Sequence, residues 1–289
     1  MTRGKAIDGT RPGAGGVELF WRGWVPDDAV RGVVVVAHGL GEHSGRYGNV
    51  VDALVPAGYA VYAVDHRGHG RSSGARAYVE RLSMVVDDFE GFRADVAARH
   101  PGVPRVVLGH SFGGLVALAH AIDHPGTSDG LVLSGAASAS GARTSLVTVT
   151  RYRILGTVWP TRPVLSVDAS AVSRDPAVVE AYRADPLVCH GAVPVRTVAE
   201  MRARARRIPG EAAALRMPML VLHGGDDALV PADASRLLAA SAGSPDLELR
   251  VYDGLAHEIF NEPDHGEVLA EVVEWLDAHT GGGSRKHAG

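Results

Sequence analysis

Short, almost purely apolar runs recur along the chain at Val33–Ala37, Ala60–Val64, Val106–Leu108, Leu131–Leu133 and Met219–Leu222. Each is rich in Val or Leu, lacks polar alternation and is bounded by Gly, Asp or Ser, the pattern of strands covered on both faces of a parallel sheet. Helical periodicity predicts helices over Val50–Pro56, Ser83–His100, Phe112–His124, Ala232–Ala242 and His265–His279. Strand and helix therefore alternate as in βαβ units. Leu247–Tyr252 alternates and reads as a late strand. Val17–Trp24 reads as an early antiparallel one.

Two regions depart from that rhythm. Residues 1–16 are rich in Gly and charge and read as a loose arm, and residues 281–289 as a flexible tail. Ser138–Arg216 shows no convincing strand–helix repeat and carries several prolines. From Ala139 to Arg216 there are 12 Arg against 6 acidic residues, which leaves 17 basic against 27 acidic residues in the rest of the chain. A basic insertion at 139–216 on an acidic body, 17–138 with 217–280, reads as a cap over an α/β core.

Composition narrows the class. The 289 residues are 46% hydrophobic and 21% charged, enough for a packed core. A net charge of −4 gives no reason to expect nucleic-acid binding by the whole molecule. The single cysteine, Cys189, cannot close an internal disulfide. No apolar run approaches the roughly 20 residues of a membrane span, and the first residues lack a signal-peptide core. The expected location is cytoplasmic or peripheral to a membrane.

Chemistry enters at Gly109-His110-Ser111-Phe112-Gly113, between a predicted strand and a predicted helix. The run and its context match the nucleophile elbow of α/β-hydrolases, in which a sharp turn exposes the serine hydroxyl and close glycines avoid clashes. An ordinary glycine turn is the bland alternative, and the flanking elements favour the catalytic reading. A serine needs a base, and the base an orienting acid. In this fold the order is Ser, then Asp or Glu, then His. The loops after two later strands supply Asp226-Asp227 and His257. Placement favours Asp227, with Asp226 as competitor. His223 reads as a strand terminator, while His265, His279 and His287 read as solvated.

The oxyanion of an acyl-transfer intermediate needs two N–H donors. Phe112, after the nucleophile, should supply one. Leu40 in His38-Gly39-Leu40-Gly41 should supply the other. His38, Glu42 and His43 lack the spacing of a helical zinc motif, so no metal is expected. Asp65-His66-Arg67-Gly68-His69-Gly70 follows a strand at the same sheet edge and reads as a brace for the site.

Longer motifs carry a resemblance. His38-Gly39-Leu40-Gly41-Glu42-His43-Ser44-Gly45-Arg46-Tyr47 is similar to the oxyanion loop of monoacylglycerol lipases, and so is Asp65-His66-Arg67-Gly68-His69-Gly70-Arg71-Ser72. In the insertion, Ser173-Arg174-Asp175 and Tyr182-Arg183-Ala184-Asp185-Pro186-Leu187-Val188-Cys189 resemble the same family. The resemblance implies cleavage of monoacylglycerols to glycerol and fatty acid without a cofactor. It also implies that Glu42, Arg46, His110 and Tyr182 lie near the polar end of the substrate. Phe112 stands where Met is common, and Phe260 where some animal members carry His. Lysophospholipase or general carboxylesterase activity is an alternative, and a non-catalytic receptor for a hydrophobic ligand a remote one. An epoxide hydrolase or dehalogenase would need Asp at the elbow.

The stretch Ile154-Leu155-Gly156-Thr157-Val158-Trp159-Pro160 is apolar and flanked by Arg151, Arg153 and Arg162. Ile154, Leu155, Val158 and Trp159 either pack within the cap or face a lipid surface, where Trp and Arg suit the interface.

Overall fold

The computed structural model describes residues 4–138 and 146–280. Strands β1 (Gly4–Pro12), β2 (Glu18–Pro26) and β3 (Gly32–Ala37) are followed by helix α1 (Gly48–Leu54), β4 (Tyr59–Val64), α2 (Leu82–Arg99), β5 (Arg105–His110), α3 (Phe112–Asp123) and β6 (Gly130–Ser134). The insertion contributes α4 (Leu146–Val158), β7 (Pro163–Leu165), α5 (Pro176–Ala184), β8 (Val193–Pro194) and α6 (Val195–Glu211). The core then resumes with β9 (Met219–Gly224), α7 (Asp233–Ser241), β10 (Leu247–Tyr252) and α8 (His265–Thr280).

One eight-stranded sheet runs in the order β1-β2-β4-β3-β5-β6-β9-β10. Only β1 and β2 are antiparallel to their neighbours; the other pairs are parallel. This is the α/β-hydrolase fold. The continuous apolar strands are buried on both faces. Val33, Val35 and Ala37 of β3 pack toward α2 and α3, while Val34 and Val36 pack toward α1 and α8. The period of two in a strand divides one Val run between two cores.

Chain order sets where a site can form. From β3 the chain steps outward to β4, whereas from β5 it steps the other way to β6, β9 and β10. The loops after β3 and β5 therefore diverge and leave a crevice at the carboxyl edge between them. Register aligns that edge, with Ala37 opposite both Val64 and Gly109, and His110 opposite Ser134.

The expected loose arm is instead largely β1, paired with β2 from Gly4↔Pro26 to Pro12↔Glu18. It is an edge strand exposed on most positions, with Ile7 packed on the core, so backbone pairing and not an apolar pattern defines it. The proposed flexible tail lies outside the described residues. Among its described residues the insertion holds helices α4, α5 and α6 and a short antiparallel pair, β7 and β8. Among the described residues no helix is long and apolar enough to cross a membrane.

Candidate active site

Ser111 joins β5 to α3 at φ 54°, ψ −117°, a conformation that a side-chain-bearing residue keeps only when its surroundings impose it. The constraint is visible in the hydrogen bonds. Ser111 N–H donates to Ser134 O at 2.9 Å, and Ser111 O accepts from Ala137 N at 3.0 Å and Leu115 N at 3.2 Å. The first turn of α3 also lies directly on the end of β3. A Cβ at Gly113 would come within 1.9 Å of Ala37 O. That close approach sets the loop after β3 against the nucleophile, and Leu40 and Ser111 line one cavity.

The loop after β10 carries His257, and the loop after β9 carries Asp227. His257 Nδ1 lies 2.6 Å from Asp227 Oδ2, and both residues are buried. Asp227 Oδ1 accepts from Leu229 N at 2.9 Å and Val230 N at 2.8 Å. Burial alone would push the Asp227 carboxyl up. Hydrogen bonds from His223 and His257 outweigh it and hold the group well below the usual carboxylate range. Asp226 is exposed, and its backbone N–H donates to Leu255 O. Gly135, at φ 52°, makes room for the imidazole, since a Cβ there would sit 3.2 Å from His257 Nδ1.

Ser111 and His257 face a cavity of about 150 Å³, with Leu165, Val167, Val172 and Met201 of the insertion among its walls. Among the described residues the Ser111 hydroxyl makes no side-chain hydrogen bond; contacts of this kind are often long before substrate arrives.

His223 has a larger part than ending its strand. Its Nε2 is 2.8 Å from Val230 O and 3.2 Å from Asp227 Oδ2, and its Nδ1 is 2.7 Å from Ser235 Oγ. A carbonyl can only accept, so Nε2 carries the proton and Nδ1 accepts from the serine hydroxyl. Asp227 thus sits between two imidazoles. A buried strand that ends in His four residues ahead of an acid was the available signal.

The residues expected at the polar end converge. Glu42 Oε1 accepts from Gly39 N at 2.6 Å and from the Tyr47 hydroxyl at 2.9 Å, which holds the loop around Leu40. Arg46 reaches Glu42 at 3.0 Å and grips Glu258 with two bonds of 2.6 and 2.7 Å. Its guanidinium lies 4.6 Å from the Tyr182 ring centroid. Burial works against that charge, and Glu258 and Glu42 overcome it, so the guanidinium stays protonated. Sequence reasoning missed Glu258, whose only signal was its place beside His257. The His110 ring lies 4.7 Å from the His257 ring at a tilt of 52° and has Nδ1 3.1 Å from Ser134 O; burial, with His257 nearby, lowers its pKa to about 3.

The Asp65 segment does brace the loop. Asp65 accepts from Ser44 N at 2.7 Å and Arg71 N at 2.8 Å, and His66 N donates to His38 Nε2 at 2.9 Å. Desolvation keeps His38, His66 and His69 neutral by lowering each pKa. The insertion is tied to both active loops. Cys189 N donates to Gly41 O at 2.7 Å, His43 Nε2 is 2.8 Å from Asp185 Oδ2, and Glu258 N donates to Val172 O at 2.8 Å. Arg174 and Ser173 bind the fully buried Glu262 beyond His257. Cys189 is half-buried, not a core residue.

On α4 and just beyond it, Ile154, Val158 and Trp159 are exposed by 59, 57 and 54%, while Leu155 is half-buried.

Residues 28–264 match the Hydrolase_4 family, described as serine aminopeptidase, S33. A monoacylglycerol lipase of Mycolicibacterium smegmatis is 46% identical over 92% of this chain and 95% of its own length. A monoglyceride lipase of Homo sapiens is 33% identical over 92% of this chain and 89% of its own. The crystal structure of a Paleococcus ferrophilus monoacylglycerol lipase superposes with a TM-score of 0.79 at 30% identity, covering 95% of this chain and 99% of that one.

Proposed function

The chain belongs to the monoacylglycerol lipase family of α/β-hydrolases, and from that premise we propose that it hydrolyses monoacylglycerols through an acyl-enzyme on Ser111. The observation that carries the reading is the 2.6 Å contact between His257 and Asp227 at the wall of the cavity onto which Ser111 opens.

In the first half-reaction Ser111 Oγ attacks the ester carbonyl while His257 Nε2 takes the hydroxyl proton. Asp227, acceptor-only when ionised, fixes the proton on His257 Nδ1 and stabilises the imidazolium that forms. The N–H groups of Leu40 and Phe112 receive the oxyanion. Collapse breaks the ester C–O bond, and His257 returns its proton to the glycerol oxygen. In the second half-reaction a water loses its proton to His257, attacks the acyl-enzyme and releases the fatty acid. Ser111 recovers its proton.

Head-group preference follows from charge. Arg46 is balanced by Glu42 and Glu258, and among the described residues no Lys or Arg lines the cavity at Ser111. A neutral diol suits that end better than a phosphate, which would meet two carboxylates. Glu42, His110 and Tyr182 supply hydrogen-bonding groups beside the serine. Ligand pockets run to roughly 300–1,000 Å³, so the cavity of about 150 Å³ must enlarge to take a long acyl chain, and Leu165, Val167, Val172 and Met201 of the insertion are among the walls that would yield. Residues 139–216 then act as a cap. Its exposed Ile154, Val158 and Trp159, with Arg162 6.0 Å from the Trp159 ring, support peripheral contact with a lipid surface.

The test is covalent capture. A fluorophosphonate should label the protein once, with the adduct mapping to the peptide that contains Ser111. A protein that stays unlabelled while folded would refute the nucleophile assignment.

A further inference from the structure

A second concavity lies away from Ser111, where α2, α3, α4 and α6 meet. It encloses about 680 Å³ and shares no lining residue with the cavity at Ser111. Helix α6 separates the two, turning Met201 to the catalytic side and Ala203, Arg204, Arg206 and Arg207 to the other.

Its wall is strongly cationic. Arg81, Arg153, Arg196, Arg204, Arg206 and Arg207 line it, against the two carboxylates of Asp123 and Glu200. Arg204 is committed to Asp123 at 2.9 Å and Glu211 at 3.0 Å, yet its buried Nε has no partner. Arg196 reaches Glu200 at 3.4 Å, and Arg207 reaches Glu211 at 2.6 Å. Among the described residues Arg81, Arg153 and Arg206 have no carboxylate within salt-bridge distance. A concave wall with unbalanced guanidinium groups focuses positive potential and offers bidentate donors to an anion.

The same cavity has an apolar side formed by Leu82, Val86, Leu146 and Val149. At Leu146 and Thr150 it meets a second groove of about 480 Å³, which runs past Val147, Ile154 and Leu155 on the outer face of α4. Leu146, Val147 and Ile154 are 61, 77 and 59% exposed, an uncovered apolar strip leading out of a cationic pocket. A purely inorganic anion would leave that strip bare, and a neutral chain would leave the arginines unmatched.

We propose that this concavity is a binding site for an anionic amphiphile, with its carboxylate or phosphate among Arg81, Arg153 and Arg206 and its alkyl chain along the outer face of α4. A free fatty acid and an acidic phospholipid share this chemistry. The site is independent of the Ser111 reading, because none of these arginines touches the catalytic cavity.

The experiment compares wild-type protein with Arg153→Gln/Arg206→Gln, both exposed positions. Calorimetric titrations use laurate, dodecyl phosphate, dodecyl maltoside and inorganic phosphate, the amphiphiles below their micellar concentrations. The expected result is saturable binding of laurate or dodecyl phosphate that weakens about tenfold or more in the variant. Dodecyl maltoside and inorganic phosphate should bind much more weakly than their anionic, chain-bearing counterparts. Turnover of p-nitrophenyl butyrate should be unchanged in the variant, which separates this site from the catalytic one. Tighter binding of laurate assigns the site to fatty acid, and tighter binding of dodecyl phosphate assigns it to a phospholipid head group. Equal affinity in wild type and variant, or equal affinity for dodecyl maltoside or inorganic phosphate, would overturn the proposal.

Discussion

Arg46 of the oxyanion loop and Glu258, the neighbour of His257, are joined by two hydrogen bonds of 2.6 and 2.7 Å. The pair spans the site and couples the loop meant to hold the oxyanion to the loop that carries the base. Both side chains are nearly buried, and Glu42 completes the triad of charges at 3.0 Å from Arg46.

Removing one member leaves buried charge behind. Glu258→Ala should destabilise the protein by roughly 3 kcal/mol, the usual cost of breaking a buried ion pair. It should also lower kcat, because Arg46 then pulls on Glu42 alone and the Gly39–Glu42 contact loosens. Urea unfolding with parallel kinetics checks this. Wild-type stability together with wild-type kcat would remove the coupling from the account.

The acid assignment makes a sharp comparison. Asp227→Asn loses the acceptor that fixes the His257 proton and should cost on the order of 10⁴ in kcat, by the behaviour of other Ser-His-Asp enzymes. Asp226 is exposed and off the imidazole, so Asp226→Asn should stay within about threefold of wild type. Measuring both variants on one ester decides the matter; the reverse ranking would exchange their roles.

Much of this arrangement was legible in the residues. The strand runs were visible because burial on both faces removes polar residues altogether, and the Gly109-His110-Ser111-Phe112-Gly113 turn was visible because sterics demand close glycines around it. Strand β1 was invisible because an exposed edge strand is held by backbone pairing, which leaves little apolar signature. The insertion was read as irregular because α4 has an exposed apolar face, so its hydrophobic residues do not fall on one buried stripe. Asp227 and Asp226 were separable by placement only; the geometry distinguishes them. Glu258 was missed because its partner Arg46 lies 212 residues away in sequence, a pairing that local pattern does not encode, whereas His223 stands only four residues from Asp227 and was legible as a buried strand end ahead of an acid.

Acid should unfold this protein by way of its neutral imidazoles. His38, His66, His69 and His110 are buried, and desolvation depresses each pKa below the ordinary 6.5. The unfolded chain binds those protons first, so stability is full above about pH 6.5 and falls as pH drops below it. Each group that stays neutral in the fold contributes a slope of up to about 1.4 kcal/mol per pH unit. Asp227, held low, adds its loss only at more acidic pH, below the ordinary carboxylate value. Melting temperature followed from pH 8 to pH 4 should decline steeply below pH 6.5. A flat profile down to pH 4 would contradict the buried-imidazole description.

The exposed cap residues carry a separate expectation. Trp159→Ser should weaken binding to anionic liposomes and slow turnover of dispersed long-chain substrate, while a short soluble ester is hydrolysed as before. Interfacial Trp and nearby Arg favour that boundary. Equal losses on both substrates would point to damaged cap packing.

The central claim is tested most directly by measuring hydrolysis of mono-, di- and triacylglycerols of one acyl chain side by side, in matched dispersions, with wild-type protein and Ser111→Ala. The account predicts rapid release of fatty acid from the monoacylglycerol, much slower release from the triacylglycerol, and loss of both in Ser111→Ala with the fold intact. A buried polar group left unpaired by the wrong head costs roughly 1–3 kcal/mol, which sets the scale of the preference. Triacylglycerol turnover equal to that of monoacylglycerol, or undiminished monoacylglycerol turnover by folded Ser111→Ala, would contradict it.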